Sequence, residues 1–213
     1  MSRTKGSENK DSGERKRRIL NGIWKAMRAA NGKPLSWREM AVAGGVGPAT
    51  LAHHFGKRDD VVEAILIAKR EEGIEALSTL ATPSSEDVET SLRDALDHMI
   101  VGLTQFDVGD LVGIGFAEGM YHERIGPAFV TQGLEPILMN VEQRLKTHQK
   151  AGAVAHDVDI RAAAIMLVSP VLLTFTHQRP LGGAAIVPTD LTALAHQSAK
   201  SVAAFCGGLI SNR

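Results

Sequence analysis

The 213-residue chain has a single cysteine, Cys206, so no intramolecular disulfide can close and the fold must be held by packing. Long apolar runs are also missing. The most apolar of the long uncharged stretches, residues 162–178, is interrupted by Ser169, Pro170, Thr174 and Thr176. It falls short of the roughly 18 apolar residues expected of a membrane-spanning helix and reads as a buried helix instead, with no membrane partner. No basic segment followed by an apolar run opens the sequence, and a cytoplasmic location is expected. Alternating strand patterns are absent as well, which leaves an all-α fold class.

Charge of one sign is not in excess overall, since 24 Lys and Arg balance 24 Asp and Glu. The balance conceals an asymmetry. Residues 1–60 carry 13 basic and 6 acidic side chains, net +7, while the remaining 153 carry 11 and 18, net −7. One end therefore suits a polyanion and the other does not.

Chemistry-bearing constellations are scarce. There is no nucleophile, base and orienting group in register, and no His-Glu-x-x-His, so neither a catalytic residue nor a cofactor is expected. His53 and His54 are adjacent and diverge by about 100° on a helix, a poor metal pair. Glu118 and His122, four apart, read as a surface pair without a third ligand. Gly113 and Gly115 follow no strand, and the next glycine, Gly119, is misplaced for a dinucleotide loop. Cys206, beside Phe205, reads as a small buried hydrophobe.

What is present is helical periodicity. Residues 1–13 are polar and read as an arm. From Glu14, the apolar Ile19, Leu20, Ile23, Trp24 and Met27 fall on one helical face. Ser36 and Glu39 have the spacing of a capping box, with Leu35 and Met40 placed for a hydrophobic staple. A short helix over 37–43 should stop at Gly44-Gly45, with Gly45 left-handed, and a second should start at Pro48, a residue favoured at the first helical position. Two short helices around a glycine turn predict a helix-turn-helix. Further helices are predicted over 59–80, 86–105, 108–120, 125–149, 159–177 and 189–206, about nine in all. Domain boundaries follow: arm 1–13, DNA-binding head 14–58, and 59–213 for the rest.

The run 41–64, AVAGGVGPATLAHHFGKRDDVVEA, resembles the DNA-binding domain of the tetracycline-repressor (TetR) family. The resemblance spans the helix before the motif, both motif helices and the start of the next. Thr50-Leu51, Phe55 and Arg58 match the family pattern, whereas Ala52 and His54 stand where tyrosines are usual and Gly47-Pro48 where Ser-Lys is usual. It implies a three-helix head, a larger helical regulatory domain and a homodimer reading successive major grooves.

The candidate DNA contacts are Ser36, Pro48, Ala49, Thr50, His53, His54, Lys57 and Arg58. Pro48, Ala49 and Thr50 open the recognition helix and are candidates for base edges, while His53, His54, Lys57 and Arg58 are candidates for phosphates. The basic run Arg15-Lys16-Arg17-Arg18 would add backbone or minor-groove contact. Met99, Leu103, Phe106, Phe116, Met120, Tyr121, Met139, Met166 and Phe175 are candidates to line the pocket of a mainly apolar small-molecule effector, or else form core. The last two helices are the expected homodimer interface, with Ala193, Ala195, Ala199, Ala203 and Ala204 permitting close approach. The expected function is a transcriptional regulator, a repressor released from a palindromic operator by the effector. The alternatives are an all-helical enzyme or ligand carrier with a vestigial head, or a non-specific DNA binder.

Overall fold

The computed structural model describes residues 5–30 and 32–207; among these there are eleven α-helices and no strand. The helices are α1 (Lys5–Ala29), α2 (Trp37–Ala43), α3 (Pro48–Phe55), α4 (Arg58–Glu72), α5 (Ile74–Ala81), α6 (Val88–Gln105), α7 (Val108–Gly119), α8 (Ile125–Phe129), α9 (Glu135–Lys150), α10 (Ile160–Gln178) and α11 (Leu191–Gly207). The count exceeds the expected nine because two anticipated helices are broken. Gly73 separates α4 from α5, where the backbone freedom of glycine makes continuation costly. Between α8 and α9 the chain widens into a π-helical turn, Val130–Leu134. Pro136 follows it, and a residue without an N–H cannot continue the regular ladder.

A second difference lies at the start. Helix α1 begins at Lys5, nine residues ahead of the expected Glu14, and runs through most of the anticipated arm; residues 1–4 lie outside the described residues. Its side chains from Ser12 to Arg18 are exposed. Glu14 and Arg18 there are opposite charges one helical turn apart, a spacing that favours helix.

Contacts group the chain into two compact units, Met1–Glu72 with Ile114–Gln132, and Gly73–Gly113 with Gly133–Arg213. The first unit reaches beyond residue 58, where sequence reasoning placed the boundary. Val61, Val62, Ile65 and Leu66 of α4 are buried, as are Ile19, Ile23, Trp24 and Met27 of α1, against which α4 packs. Met40, Ala41 and Leu51 from α2 and α3 join this core, and α8 adds Ile125 and Phe129. Each such aliphatic side chain contributes about 1.5–3 kcal/mol when fully buried.

Two of the glycines of α7 have a packing cause. A methyl group on Gly115 would overlap the Phe129 ring, and one on Gly119 would press on the Gly126 backbone at 3.3 Å.

In the second unit, α6, α9, α10 and α11 enclose Leu92, Leu96, Val141, Leu145, Leu167, Val171 and Val202. By length and composition α10 could cross a membrane, yet here it packs on α6, α9 and α11. Cys206 is buried at the end of α11, which pushes its thiol up to about 11 and suits the hydrophobe reading. Ala195 and Ala199 are also buried within the chain, a correction to their expected role at a dimer interface; Ala193 and Ala204 remain exposed. Ala195 and Ala199 lie on the side of α11 that packs on α6 and α10.

Candidate nucleic-acid interface

The local rules that predict α2 and α3 operate as written. Ser36 Oγ accepts from the Glu39 N–H at 3.4 Å, and the Ser36 N–H donates to the Glu39 carboxylate at 2.7 Å. Hydrogen bonding to the Ser36 side chain, then to its backbone N–H, holds the Glu39 carboxyl below its ordinary range. Gly45 takes φ +66°, a left-handed conformation that bulkier residues resist. The Val46 N–H then returns to the Ala41 carbonyl at 3.0 Å. Gly47 caps α3, and Pro48 occupies the first turn.

Helix α3 buries Leu51 and turns Pro48, Ala49, Ala52 and His53 to solvent. Thr50 and His54 are half-buried, Lys57 is exposed, and Ser36 stands exposed at the start of α2. Lys16 of α1 brings its ammonium 6.0 Å from the centre of the Phe55 ring, so the basic run of α1 and the end of α3 share one neighbourhood. His54 records this electrically: desolvation, then the charges of Arg15, His53 and Lys16, lower its pKa below the ordinary imidazole value. The cluster is thus a positive field without a counterion supplied by α3.

Arg58 departs from its expected role as a phosphate donor. Its Nη2 lies 2.7 and 2.8 Å from the two carboxylate oxygens of Glu118, and its Nε donates to the Leu35 carbonyl at 2.8 Å. Its Nη1 is buried, 3.9 Å from Asp59 Oδ1. Glu118, which sequence spacing assigned to a surface pair with His122, is only 2% exposed, while His122 Nε2 stands 4.0 Å away. A residue 60 positions away gave Arg58 no local signal of burial.

The effector candidates divide between the two units. Met99, Leu103 and Phe175 are core residues of the second unit, which is the packing alternative. Phe116 is half-buried, edge-on to Phe129 in the first unit. Phe106, Met120, Tyr121, Met139 and Met166 are exposed, so they line no enclosed pocket within either unit. Helical periodicity locates buried faces, but Phe106, Met120 and Tyr121 sit past helix ends, where periodicity no longer fixes direction.

Two short helices crossing at a glycine turn, with one solvent face and a basic flank, define a helix-turn-helix head within an all-helical chain. Over most of its length the chain has the fold of TetR-family transcriptional regulators. A chain assigned to that family from Mesorhizobium loti superposes with TM-score 0.71 at 17% identity, covering 92% of this chain and 98% of that one. The fatty acid degradation regulator FadR from Bacillus halodurans gives 0.64 at 16% identity, over 88% of this chain and 93% of that one. SmeT, the repressor of the Stenotrophomonas maltophilia multidrug efflux pump SmeDEF, gives 0.62 at 18% identity over 89% of each chain. No protein-family model and no curated protein matches the sequence.

Proposed function

We propose that the protein is a sequence-specific DNA-binding transcriptional regulator, a homodimeric repressor that leaves a palindromic operator when a mainly apolar small molecule binds. The observation that carries the DNA-binding part is the solvent face of α3. Pro48, Ala49 and His53 are exposed on a helix whose other side is anchored by Leu51, with Lys57 and the basic run of α1 beside it. A helix presented this way fits a major groove with its first residues at base edges and its flanking cations at phosphates.

Dimerisation is supported by α10. Ile165, Met166 and Leu173 remain exposed near Ser169, at the spacing of one helical face, and Leu181, Ile186 and Val187 of the following connector are exposed too. A second copy of the same surface would remove this apolar area from water in an isologous contact. A palindromic operator would present two heads with half-sites one helical turn, about 34 Å, apart. An effector would act by favouring a conformer with another spacing. The apolar character of the effector rests on the composition of the sequence-derived candidates.

Selection of bound sequences from a random duplex pool tests the proposal, run with the unaltered protein, with Thr50→Ala and with Lys57→Ala. Recovery of a palindrome is expected, with altered base preference for the first variant and uniformly weaker, less salt-dependent binding for the second. Failure to enrich any sequence at low or moderate salt would remove the operator-binding function.

A further inference from the structure

Helix α3 is held to its own unit by little. Leu51 is its one buried residue, so its direction depends on what fixes the chain at its two ends. At the entry this is the glycine turn after α2. At the exit it is the segment from Gly56 to Asp60, which carries two ion pairs of opposite polarity. Arg58 gives its cation to Glu118 of α7, and Asp60 gives its carboxylate to Arg124 at 2.6 Å. Asp60 also accepts the Lys57 N–H at 2.7 Å, so the second pair holds the backbone of the turn itself.

We infer that Glu118 is a positioning residue for DNA recognition: through Arg58 it fixes the presentation of α3, an inference that rests on the DNA-binding reading above. One arginine joins three elements, since Arg58 begins α4, donates to the carbonyl of Leu35 just before the α2 cap, and is gripped by the end of α7. A buried anion has no attraction for DNA and is costly to desolvate, and an apolar pair would pack there at no such cost. What the ion pair adds over an apolar pair is direction. Both carboxylate oxygens and the Leu35 carbonyl constrain one guanidinium plane, and a slip of α7 or α4 by part of a turn leaves that charge unpaired. His122, facing the same carboxylate at 4.0 Å, is the other ionisable group near it, with Asp59 on the Arg58 side. Glu118 and Arg124 flank the turn between α7 and α8, so one short segment grips the exit of α3 from both charges.

The test compares the unaltered protein with Glu118→Gln, with the paired change Arg58→Met and Glu118→Met, and with Arg124→Ala. Affinities are measured for the selected operator and for a scrambled duplex of equal length, each at several salt concentrations, alongside thermal melting. Glu118→Gln and the paired change should melt cooperatively and lose tenfold or more in operator affinity. Binding to scrambled DNA should stay within twofold, so that the specificity ratio collapses. Arg124→Ala, at an exposed pair, should lose a smaller factor in the same ratio, and it carries the test if the buried changes do not fold. Operator affinity within twofold of the unaltered protein in the folded variants overturns the inference alone. Equal loss on both duplexes also overturns it, because that result makes Arg58 a phosphate contact. Failure of the unaltered protein to enrich an operator removes the DNA-binding reading and the inference with it.

Discussion

Arg144 of α9 reaches Ser91 of α6, its Nη1 donating to both the hydroxyl at 2.8 Å and the main-chain carbonyl at 2.9 Å. The same guanidinium donates through Nε to the Leu80 carbonyl and through Nη2 to that of Thr79, both at 2.8 Å. These are carbonyls of the last turn of α5, where the helix dipole favours a cation, and that of Thr79 otherwise accepts only the cap N–H of Thr82 at 3.4 Å. A buried charge thereby closes a short helix. Replacing Arg144 with Met should cost on the order of 3 kcal/mol, the scale set by hydrogen bonds to a charged group and by buried acceptors left unpaired. Arg144→Lys should recover only part of it, since an ammonium cannot span the same fork of acceptors. Urea denaturation checks both, and a loss within 0.5 kcal/mol for Arg144→Met, about the scatter of neutral surface changes, would sink the argument.

His148 completes this cluster, with Nε2 at 2.9 Å from the Ser91 hydroxyl. Burial, then the Arg144 charge, lowers its pKa below the ordinary 6.5, while Asp87 opposes the shift. The unfolded chain therefore takes up the proton more readily than the native one. The stability contributed by the neutral ring is complete above pH 6.5 and falls as pH drops below that value toward the lower native pKa. The urea midpoint should decrease from about pH 7.5 to about pH 5.5, and His148→Gln should flatten that slope. An unchanged slope in the variant would assign the pH dependence to other groups.

Two glycines of α7 should respond oppositely to the same change. A methyl on Gly113 would meet Pro180 at 3.6 Å, ordinary contact, so Gly113→Ala should stabilise by about 0.5–1 kcal/mol through lowered chain entropy. A methyl on Gly115 overlaps the Phe129 ring, and overpacking of about 1–3 kcal/mol outweighs that gain. Gly115→Ala should therefore melt lower, and Phe129→Leu added to it should recover part of the loss. Equal melting shifts for the two alanine variants would show that Phe129 yields without strain.

The helix-turn-helix was legible because its rules are local. Ser36 and Glu39, Gly45 and Pro48 each act within four residues, and all four behave as their spacing implies. The all-α class was legible from periodicity for the same reason. Arg58 was not, because its burial depends on Glu118 in another helix and a cation opening a helix ordinarily points to solvent. The breaks at Gly73 and Val130–Leu134 were missed where apolar spacing continues through a backbone irregularity. Met120 and Tyr121 were candidates for a pocket on the strength of composition, yet lie exposed beyond the end of α7. Gly115 shows the converse: the sequence displays the glycine, and only the neighbouring ring explains it.

The exposed face of α10 yields the last prediction. Leu173 is 71% exposed, although α10 buries Leu167, Val168 and Val171 on its other sides. A lone exposed leucine needs no explanation, but Ile165 and Met166 lie two turns before it on the same side, and Leu181, Ile186 and Val187 follow in the connector. If a second chain covers this face, Leu173→Glu buries a carboxylate in an apolar contact, and the cost of desolvating it opposes association. Sedimentation should then show a dimer for the unaltered protein and a monomer for Leu173→Glu, with melting of the monomer still cooperative. Operator affinity should fall with it, because a single head engages only one half-site. A Leu173→Glu variant that remains dimeric would place the interface on another surface.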